Sequence, residues 1–299
     1  MTTLHPAGDG PHAAEGPDDC HAPELPPMTA PPNAPPPEPD GHTPWPDIDW
    51  LAPDTPVALP PATGWYAPMK PSIDYLLALA IAVPALPVVG VCYALVRLTS
   101  PGPGFYHQTR SGLRGRPYRI LKLRTMGHDC EATTGIQWSQ KGDLRVTPLG
   151  KFLRRSHLDE LPQLFNVLRG EMSLVGPRPE RPEVIAAKGL AKQVPGYARR
   201  LDVKPGVTGF AQLQLAADSD LTSVRHKVAY DLYYVANQSL LLDLRLILAT
   251  AAKTAGVPMP WLRRLFLLAR RERVGRFFRT LTPQAAPPTG ESATQFQPV

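Results

Sequence analysis

The sequence is poor in cysteine. Its three cysteines, Cys20, Cys92 and Cys130, lie far apart and form no Cys-x-x-Cys or similar pair. This spacing excludes a disulfide framework and a cysteine-based metal or redox site, and it fits a reducing cytoplasm. The N-terminal residues lack both the basic start and the apolar core of a secretory signal peptide, so none is expected. The sequence also lacks an internal repeat.

Basic residues are missing from the first 68 residues. This segment has ten acidic residues, half of the 38 prolines and only scattered apolar positions. Such a composition cannot bury enough surface to offset the entropy cost of ordering, so we expect a disordered acidic tail. Because the whole chain has a net charge of +6, the remainder carries +16 and is strongly basic. Residues 280–299 are rich in Pro, Thr and Gln and are also expected to be disordered.

Long apolar runs are scarce, and the longest extends from Tyr75 to Leu98, flanked by Lys70 and Arg97. A straight helix of about 23 residues would be roughly 35 Å long and could span a bilayer core of about 30 Å. Pro84 and Pro87, however, each remove a helical hydrogen bond in the middle of the run and favour a kink. The flanking basic residues favour a cytoplasmic location for both ends. We therefore expect a re-entrant hairpin broken at the two prolines, in preference to a spanning anchor.

The residues that follow are polar and punctuated by glycine. Residues 105–110 and 118–124 predict two short strands joined by a turn at 111–115. Lys122 and Arg124 alternate with leucines in the second strand, which places both cations on one face. On its own this pattern indicates a solvated strand face, but near carboxylates it is a candidate phosphate clamp.

The densest group of candidate functional residues begins at Ser156. Apolar residues recur at helical spacing from 157 to 168 and predict an amphipathic helix with Ser156 as its N-cap. Asp159 and Glu160 would then lie in the first turn, where free backbone N–H groups and the helix dipole favour anions. This position suits a nucleophilic carboxylate, a bound phosphate or both, although the two carboxylates could also merely complement the dipole.

Cationic residues surround these carboxylates in the sequence. Arg154 precedes them, and Arg178 follows in a rigid Pro-Arg-Pro turn whose prolines fix the backbone. Lys204 lies in a Pro-Gly turn with Gly206, where backbone N–H groups could approach a ligand closely. Guanidinium and ammonium groups match phosphate oxygens, so these three cations are candidate phosphate ligands. The Pro-Arg-Pro turn could equally be a structural connector.

The C-terminal part combines apolar and basic residues. Residues 240–252 are so apolar that one face must contact protein or lipid, and seven arginines alternate with Trp, Leu and Phe between Trp261 and Arg279. We expect a basic amphipathic helix over 257–279 that lies in the membrane interface and attracts anionic lipids. Nucleic acid is the competing partner for a basic stretch in a chain of pI near 9.3. The interspersed apolar residues favour lipid, so no nucleic-acid binding is expected.

Six motifs, which follow one another in the same order as in the family, resemble those of the bacterial sugar transferases, the monotopic polyprenyl-phosphate phosphoglycosyl transferases. They lie between Lys70 and Ala255 and read KPSIDYLLALAI, TSPGPGFYHQTRSG, YRILKLRTM, LDELPQLFNV with GEMSLVGPRP, VKPGVTGFAQ, and YDLYYVANQSLLLDL. The chain departs from the family pattern in two places. Leu86 precedes Pro87 where the family has a serine, and the segment after Gln212 lacks an arginine that the family usually carries.

The resemblance implies both a fold and a reaction. The fold is α+β and mainly helical, a monotopic membrane protein with a re-entrant helix-break-helix hairpin, a small β-hairpin and interfacial amphipathic helices. The reaction is transfer of a sugar-1-phosphate from a UDP-sugar to undecaprenyl phosphate with release of UMP, which initiates exopolysaccharide, capsule or O-antigen synthesis at the cytoplasmic face of the bacterial inner membrane. The expected divisions are a tail at 1–68, the hairpin at 69–98, a catalytic domain at 99–256, the basic helix at 257–279 and a tail at 280–299.

The resemblance also implies roles for individual residues. Asp159 would carry the phosphosugar covalently, and Glu160 would be either a metal ligand or the base that prepares the lipid phosphate. Mg²⁺ or Mn²⁺, bound through both carboxylates, would offset charge in the transition state. A homodimer is left open. The candidate phosphate or substrate ligands are Lys122, Arg124, Arg154, Arg178, Lys204 and Asp231.

Three other interpretations remain open on the sequence alone. A non-catalytic membrane scaffold or regulator of polysaccharide export would use the hairpin, the basic helix and the acidic tail for docking. A nucleic-acid-binding membrane protein would show strongly salt-dependent binding. An enzyme could also transfer the sugar phosphate in a single step, without a covalent intermediate. The identity of the sugar is not readable from the sequence.

Overall fold

The computed structural model describes residues 56–60, 64–128, 143–216, 218 and 220–281, all within one compact unit. Its helices are α1 (Tyr66–Thr99), α2 (Pro148–Arg155), α3 (Gln163–Leu168), α4 (Pro182–Ala187), α5 (Leu190–Gln193), α6 (Phe210–Gln214), α7 (Leu221–Asn237), α8 (Leu240–Thr254), α9 (Met259–Leu265) and α10 (Arg271–Thr280). Short 3₁₀ turns occupy Leu113–Gly115, Leu158–Glu160 and Tyr197–Asp202. The strands are β1 (Phe105–Ser111), β2 (Pro117–Leu123), β3 (Ser173–Val175) and β4 (Gly206–Thr208). The α+β, mainly helical fold class is confirmed.

Helix α1 is long and apolar enough to cross a membrane, with a mean hydropathy of 2.3 over 18 residues. It packs on the rest of the protein along one face and exposes large apolar side chains on the other. The exposed side chains include Leu76, Leu79, Val83, Leu86, Val91 and Leu98. The buried positions recur every three or four residues apart from one gap of seven between Ala82 and Val89, and they are Tyr66, Lys70, Asp74, Ala78, Ala82, Val89, Cys92 and Val96.

The expected division of α1 into two helices is not found. Helical structure continues through Pro84 and Pro87 without interruption. A proline removes only one backbone donor, so the neighbouring hydrogen bonds can keep a helix continuous while it bends. The hairpin therefore remains a prediction, and the structure supports only the coarser description of one long apolar helix.

The predicted β-hairpin is confirmed. Strands β1 and β2 pair antiparallel over their whole length, with Tyr106 opposite Lys122. A second, parallel pair joins β3 to β4. Gly206 permits this pairing, because a Cβ at that position would collide with the backbone of Gly176. The glycine expected to admit a ligand thus serves backbone packing instead.

The hydrophobic core is centred on α7, which is buried along most of its length. Phe210 of α6 stacks on Tyr230 and Tyr233 of α7 with ring centroids 5.4 and 5.3 Å apart. Val274 and Phe278 of α10 belong to the same core. Aromatic stacking and apolar burial together hold α6, α7 and α10 against one another.

The expectation of one basic helix over 257–279 is wrong. Leu267 adopts a positive φ of 50° and separates α9 from α10. Because α10 packs into the core, only α9 exposes large apolar side chains, among them Trp261 and Leu265.

The folded part also begins before residue 69. Val57 is buried, and Ala58 N donates to Leu281 O at 3.3 Å. The disorder expected for residues 1–55 and 282–299 lies outside the described residues.

Candidate active site

The two adjacent carboxylates lie on a short connection between α2 and α3. His157, with a φ of 55°, follows α2, and Asp159 and Glu160 form a 3₁₀ turn before α3 begins at Gln163. The expected single helix over 157–168 is therefore wrong. Pro162 explains the difference, because it has no N–H to donate to the carbonyl four residues earlier.

The N-cap expected at Ser156 is also absent. Ser156 follows the last residue of α2, and its hydroxyl donates to Phe152 O at 2.9 Å. The two carboxylates consequently do not occupy the first turn of an α-helix. Their environment is determined by side chains from other elements.

Glu160 is held by two cations. Lys122 Nζ, from β2, donates to Glu160 Oε1 at 2.6 Å, and Arg178 Nη1 lies 3.6 Å from the same oxygen. Burial alone would raise the pKa of Glu160, but the charges of Lys122 and Arg178 outweigh it and lower the pKa to about 2. Glu160 is therefore a fixed anion at neutral pH.

Asp159 has the opposite environment. It is only 7% exposed, and its carboxylate accepts no hydrogen bond from the described residues. Burial, reinforced by the neighbouring charge of Glu160, raises its pKa to about 6. Two adjacent carboxylates with pKa values pushed apart are typical of a site in which each has a distinct task. Asp159 is ionised at pH 7 yet unpaired, which suits a nucleophile.

Lys122 is positioned by a residue that the sequence analysis missed. Asn166 of α3 is fully buried, and its Nδ2 donates to Arg119 O at 2.8 Å while its Oδ1 accepts from Leu121 N at 3.0 Å. These bonds fix the β2 backbone immediately before Lys122. The signal in the sequence is an asparagine on the apolar face of the predicted helix, because a buried amide needs partners.

The Pro-Arg-Pro turn that carries Arg178 is held by four consecutive carbonyl groups. Each accepts a hydrogen bond from a different donor: Pro177 O from Gly206 N at 2.9 Å, Arg178 O from Arg200 Nη2 at 3.0 Å, Pro179 O from Arg110 Nη1 at 3.0 Å and Glu180 O from Ser111 N at 2.9 Å. A backbone hydrogen-bonded at every residue of the turn fixes the point from which the Arg178 side chain reaches Glu160. Arg110 and Arg200 are therefore further functional candidates, and no local pattern in the sequence pointed to either.

Asp231 does not face the two carboxylates. Its Oδ2 lies 2.7 Å from Arg200 Nη2 in the buried interior. Burial raises the pKa of Asp231 to about 6, although Arg200 and Lys227 act in the opposite direction. Because Arg200 Nη2 also donates to Arg178 O, Asp231 is connected to the Arg178 turn through Arg200.

The remaining predicted cations occupy three different places. The charge of Arg154 lowers the pKa of Asp159, which puts it close to the carboxylates, and its Nε donates to Thr125 Oγ1 at 2.8 Å. Arg124 instead donates to Pro101 O and, at 2.8 Å, to Ser100 O, so it fixes the loop after α1. Lys204 lies beside Gly170, beyond the C-terminal end of α3. The structure thus brings together Asp159, Glu160, Lys122, Arg154 and Arg178.

The residues present fit a magnesium ion of the kind that substrate phosphates complete. The described part of the chain has no group of three or more His, Cys, Asp or Glu side chains that could form an all-protein cage. Mg²⁺, however, commonly binds through one or two carboxylates together with water and phosphate oxygens. Glu160 Oε2 accepts no hydrogen bond from the described residues and, with Asp159, offers such a pair.

Comparison with known proteins gives a consistent picture. Residues 65–256 match the family described as Bacterial sugar transferase. The chain is 41% identical over 186 residues to the UDP-N-acetylgalactosamine-undecaprenyl-phosphate N-acetylgalactosaminephosphotransferase of Aeromonas hydrophila, an alignment that covers 62% of this chain and 43% of that protein. It is 42% identical over 186 residues to the UDP-glucose:undecaprenyl-phosphate glucose-1-phosphate transferase of Xanthomonas campestris pv. campestris, covering 61% of this chain and 38% of the relative.

A third relative matches over more of its length. The UDP-glucose:undecaprenyl-phosphate glucose-1-phosphate transferase of Caulobacter vibrioides is 40% identical over 183 residues, covering 60% of this chain and 67% of the relative. The chain thus spans less than half of the Aeromonas and Xanthomonas proteins and about two thirds of the Caulobacter protein. The family match includes α1, the carboxylate turn and the Arg178 turn, and the chain belongs to the bacterial sugar transferase family.

Proposed function

We propose that this protein transfers a sugar-1-phosphate from a UDP-sugar to undecaprenyl phosphate and releases UMP. The observation that carries the proposal is the pair of adjacent carboxylates with opposite environments, Asp159 unpaired and Glu160 bound by Lys122 and Arg178. A diphosphate needs cations to hold it and a nucleophile to attack it, and this turn offers both. The names of the relatives, which specify UDP-sugars and undecaprenyl phosphate, support the same substrates.

The transfer proceeds in two displacements. In the first, an Asp159 oxygen attacks the phosphorus that bears the sugar, an aspartyl-phosphate bond forms, and the bond to UMP breaks so that UMP leaves with its electron pair. In the second, a phosphate oxygen of undecaprenyl phosphate attacks the same phosphorus, the aspartyl-phosphate bond breaks, and the Asp159 carboxylate is regenerated. A covalent carrier divides a two-substrate transfer into two easier steps.

The surrounding residues hold charge in place during both steps. Arg178 and Arg154 would contact phosphate oxygens, and Lys122 would keep Glu160 in place beside the nucleophile, as their proximity to the two carboxylates supports. Phosphoryl transfer depends mainly on such positioning and charge stabilisation. When bound, Mg²⁺ held by Glu160 and Asp159 would neutralise charge on the diphosphate.

The re-entrant arrangement of α1 is part of the proposal. Near its start, Lys70 pairs with Asp243 of α8, and near its end Cys92 and Val96 pack against Leu123 and Leu153. Both ends of this 34-residue helix therefore contact the same compact body. A helix that crossed the bilayer could not keep both ends on a body that lies on one side.

The positions of the two prolines agree with a bend in α1. Pro84 and Pro87 are exposed, whereas Ala82 and Val89 face the protein. A proline ring clashes with the carbonyl four residues earlier and opens the helix on its own side. A bend at these positions would therefore direct both arms of α1 toward the body and its apolar outer face into the membrane.

Helices α8 and α9 complete the proposed membrane-facing surface. Leu241, Leu244 and Leu248 recur along one side of α8 and are exposed, as are Trp261 and Leu265 of α9. Apolar faces of this kind lie in the plane of the interface, and the arginines of α9 favour anionic lipids. The carboxylate turn would then work at headgroup level on the cytoplasmic face of the inner membrane.

The test is an assay of UMP release by the purified protein with Mg²⁺ and a panel of UDP-sugars, with and without undecaprenyl phosphate. We expect release from at least one donor, formation of a lipid-linked sugar diphosphate, and loss of both with Asp159→Asn. Asp202→Asn is the matched control, because Asp202 is exposed and, among the described residues, pairs only with Arg199 at 3.5 Å. No release from any donor by a folded preparation would reject the proposal and favour a non-catalytic scaffold.

A further inference from the structure

A groove with a volume of about 470 Å³ lies between the N-terminal part of α1 and the end of α3. Pro71, Tyr75 and Leu76 line it on the α1 side, and Leu168 and Met172 line it on the other. Tyr75 and Leu76 are also exposed on the apolar outer face of α1. The groove is therefore continuous with the surface that the proposed function assigns to the membrane.

Two cations at this groove have no ion-pair or side-chain hydrogen-bond partner among the described residues. The side chains of Lys204 and Arg169 line it, and neither makes an ion pair or a side-chain hydrogen bond with another described residue. The charge of the one carboxylate in the lining, Asp74, is already engaged, because it pairs with Lys70 and accepts from Ser173 Oγ at 2.6 Å. The groove thus combines apolar walls with two uncompensated positive charges.

The groove is separate from the carboxylate turn. Asp159 precedes α3, whereas Arg169 and Gly170 follow it, so the two places lie at opposite ends of that helix. A phosphate held by Lys204 would therefore lie at the opposite end of α3 from Asp159. This geometry also explains why Lys204, an expected substrate ligand, contacts none of the other candidate residues.

We propose that this groove binds the phosphate of an anionic glycerophospholipid, with Lys204 and Arg169 contacting the headgroup and an acyl chain lying along Tyr75 and Leu76. The proposal rests on the membrane position of α1 given above. The occupant must be anionic, because the two charges are unpaired, and it must be a lipid, because the walls are apolar and open onto the exposed face of α1. Each cation near a membrane surface strengthens such binding about fivefold.

The test measures bound lipid directly and does not depend on turnover. The full-length protein is extracted from vesicles of phosphatidylcholine that contain roughly one fifth phosphatidylglycerol. The lipid molecules that remain bound are then counted by native mass spectrometry. The wild type should retain phosphatidylglycerol in preference to phosphatidylcholine. The double variant Lys204→Ala/Arg169→Ala should bind it about 25-fold more weakly, as expected for two cations at fivefold each.

A charge-matched double variant, Lys192→Ala/Arg116→Ala, should retain lipid like the wild type, because both residues are exposed and outside the groove. Circular dichroism on both double variants checks that they are folded. Two competition arms identify the source of the phosphate: inorganic phosphate and undecaprenyl phosphate are each added to the wild type. The proposal is overturned if the Lys204/Arg169 variant retains as much phosphatidylglycerol as the wild type, or if either competitor displaces phosphatidylglycerol. It is supported if the variant loses the lipid while remaining folded.

Discussion

At the scale of single residues, the site depends on the contrast between two neighbouring carboxylates. Glu160 is neutralised by Lys122 at 2.6 Å, whereas Asp159 has no hydrogen-bond partner among the described residues and a pKa of about 6. A carboxylate with a raised pKa is the more basic and the better nucleophile once it is ionised. The first prediction follows from this value.

UMP release in the absence of lipid acceptor should depend on pH with an acid limb near 6. The reactive form of Asp159 is the anion, so lowering the pH through 6 protonates it and should reduce the initial rate about tenfold between pH 7 and pH 5. Undecaprenyl phosphate is left out because its own phosphate changes protonation state with pH and would contribute to the pH dependence of the rate. A rate that stays constant down to pH 4.5 would show that Asp159 is not perturbed in this way.

The variant Glu160→Gln tests the cause of that shift. The negative charge of Glu160 contributes to the raised pKa of Asp159, while Lys122 lowers it. Removing the negative charge should therefore move the acid limb of the residual activity to lower pH. Movement to higher pH would contradict the electrostatic account of the pair.

The residues that were readable from the sequence are those with a chemical signature of their own. Asp159, Glu160 and Arg178 stand out as adjacent carboxylates and as a cation between prolines. Asn166 and Arg200 do not, because their roles come from hydrogen bonds to residues far away in the chain, such as Arg119 O and Arg178 O. Contacts of this range have no local pattern.

At the scale of elements, the Arg178 turn is held in position by Arg200, which connects it to Asp231 of α7. Arg200 Nη2 lies 3.0 Å from Arg178 O and 2.7 Å from Asp231 Oδ2, so one guanidinium connects α7 to the turn. Arg200→Lys keeps a positive charge beside Asp231, but the ammonium of lysine does not reproduce the position of Nη2 at the end of a planar guanidinium, from which both groups are reached.

We expect Arg200→Lys to lower kcat about tenfold or more, the equivalent of one charged hydrogen bond of about 1.5–3 kcal/mol. In the Arg178→Ala background the same change should have little further effect, because the positioned side chain is already gone. The measurement is a double-mutant cycle on kcat with unfolding temperature as the check on folding. Additive losses would mean that Arg200 does not act through Arg178.

Helix α1 yields a prediction about topology. The background for this test is a protein in which Cys20, Cys92 and Cys130 are replaced. A single cysteine is then introduced either at Gly64, just before α1, or at Thr99, its last residue. Each cysteine should react with a membrane-impermeant thiol reagent from the cytoplasmic side only. A spanning helix would expose one of them to the periplasm. Labelling from opposite sides would therefore reject the re-entrant arrangement.

Element boundaries were predicted less well than element types. The β-hairpin was readable because strand alternation and turn glycines agree. Two predicted helices are interrupted in the structure. The one expected over 157–168 is interrupted at His157 and Pro162, and the one expected over 257–279 is interrupted at Leu267. In each case apolar residues continue to recur on both sides of the break, so periodicity alone could not reveal it.

At the scale of the whole molecule, one compact body carries both the candidate active site and the apolar surface that we propose contacts the membrane. The outer face of α1, the exposed leucines of α8 and Trp261 of α9 provide the apolar surface, and the carboxylate turn lies on the same body. Under the proposed function, this arrangement would allow a water-soluble donor and a lipid acceptor to reach one aspartate in turn. The order of the six motifs indicated the family, but only the folded chain shows that Arg124, Lys204 and Asp231 lie away from the carboxylates.

The central claim is that Asp159 carries the phosphosugar covalently. The direct measurement is intact-protein and peptide mass spectrometry after incubation with Mg²⁺ and the UDP-sugar identified by the UMP assay, without lipid acceptor. The account predicts an added mass equal to one sugar phosphate, located on the peptide that contains Asp159, absent in Asp159→Asn and removed when undecaprenyl phosphate is added. Full transfer activity with no such adduct at any time point, or an adduct on another residue, would contradict it.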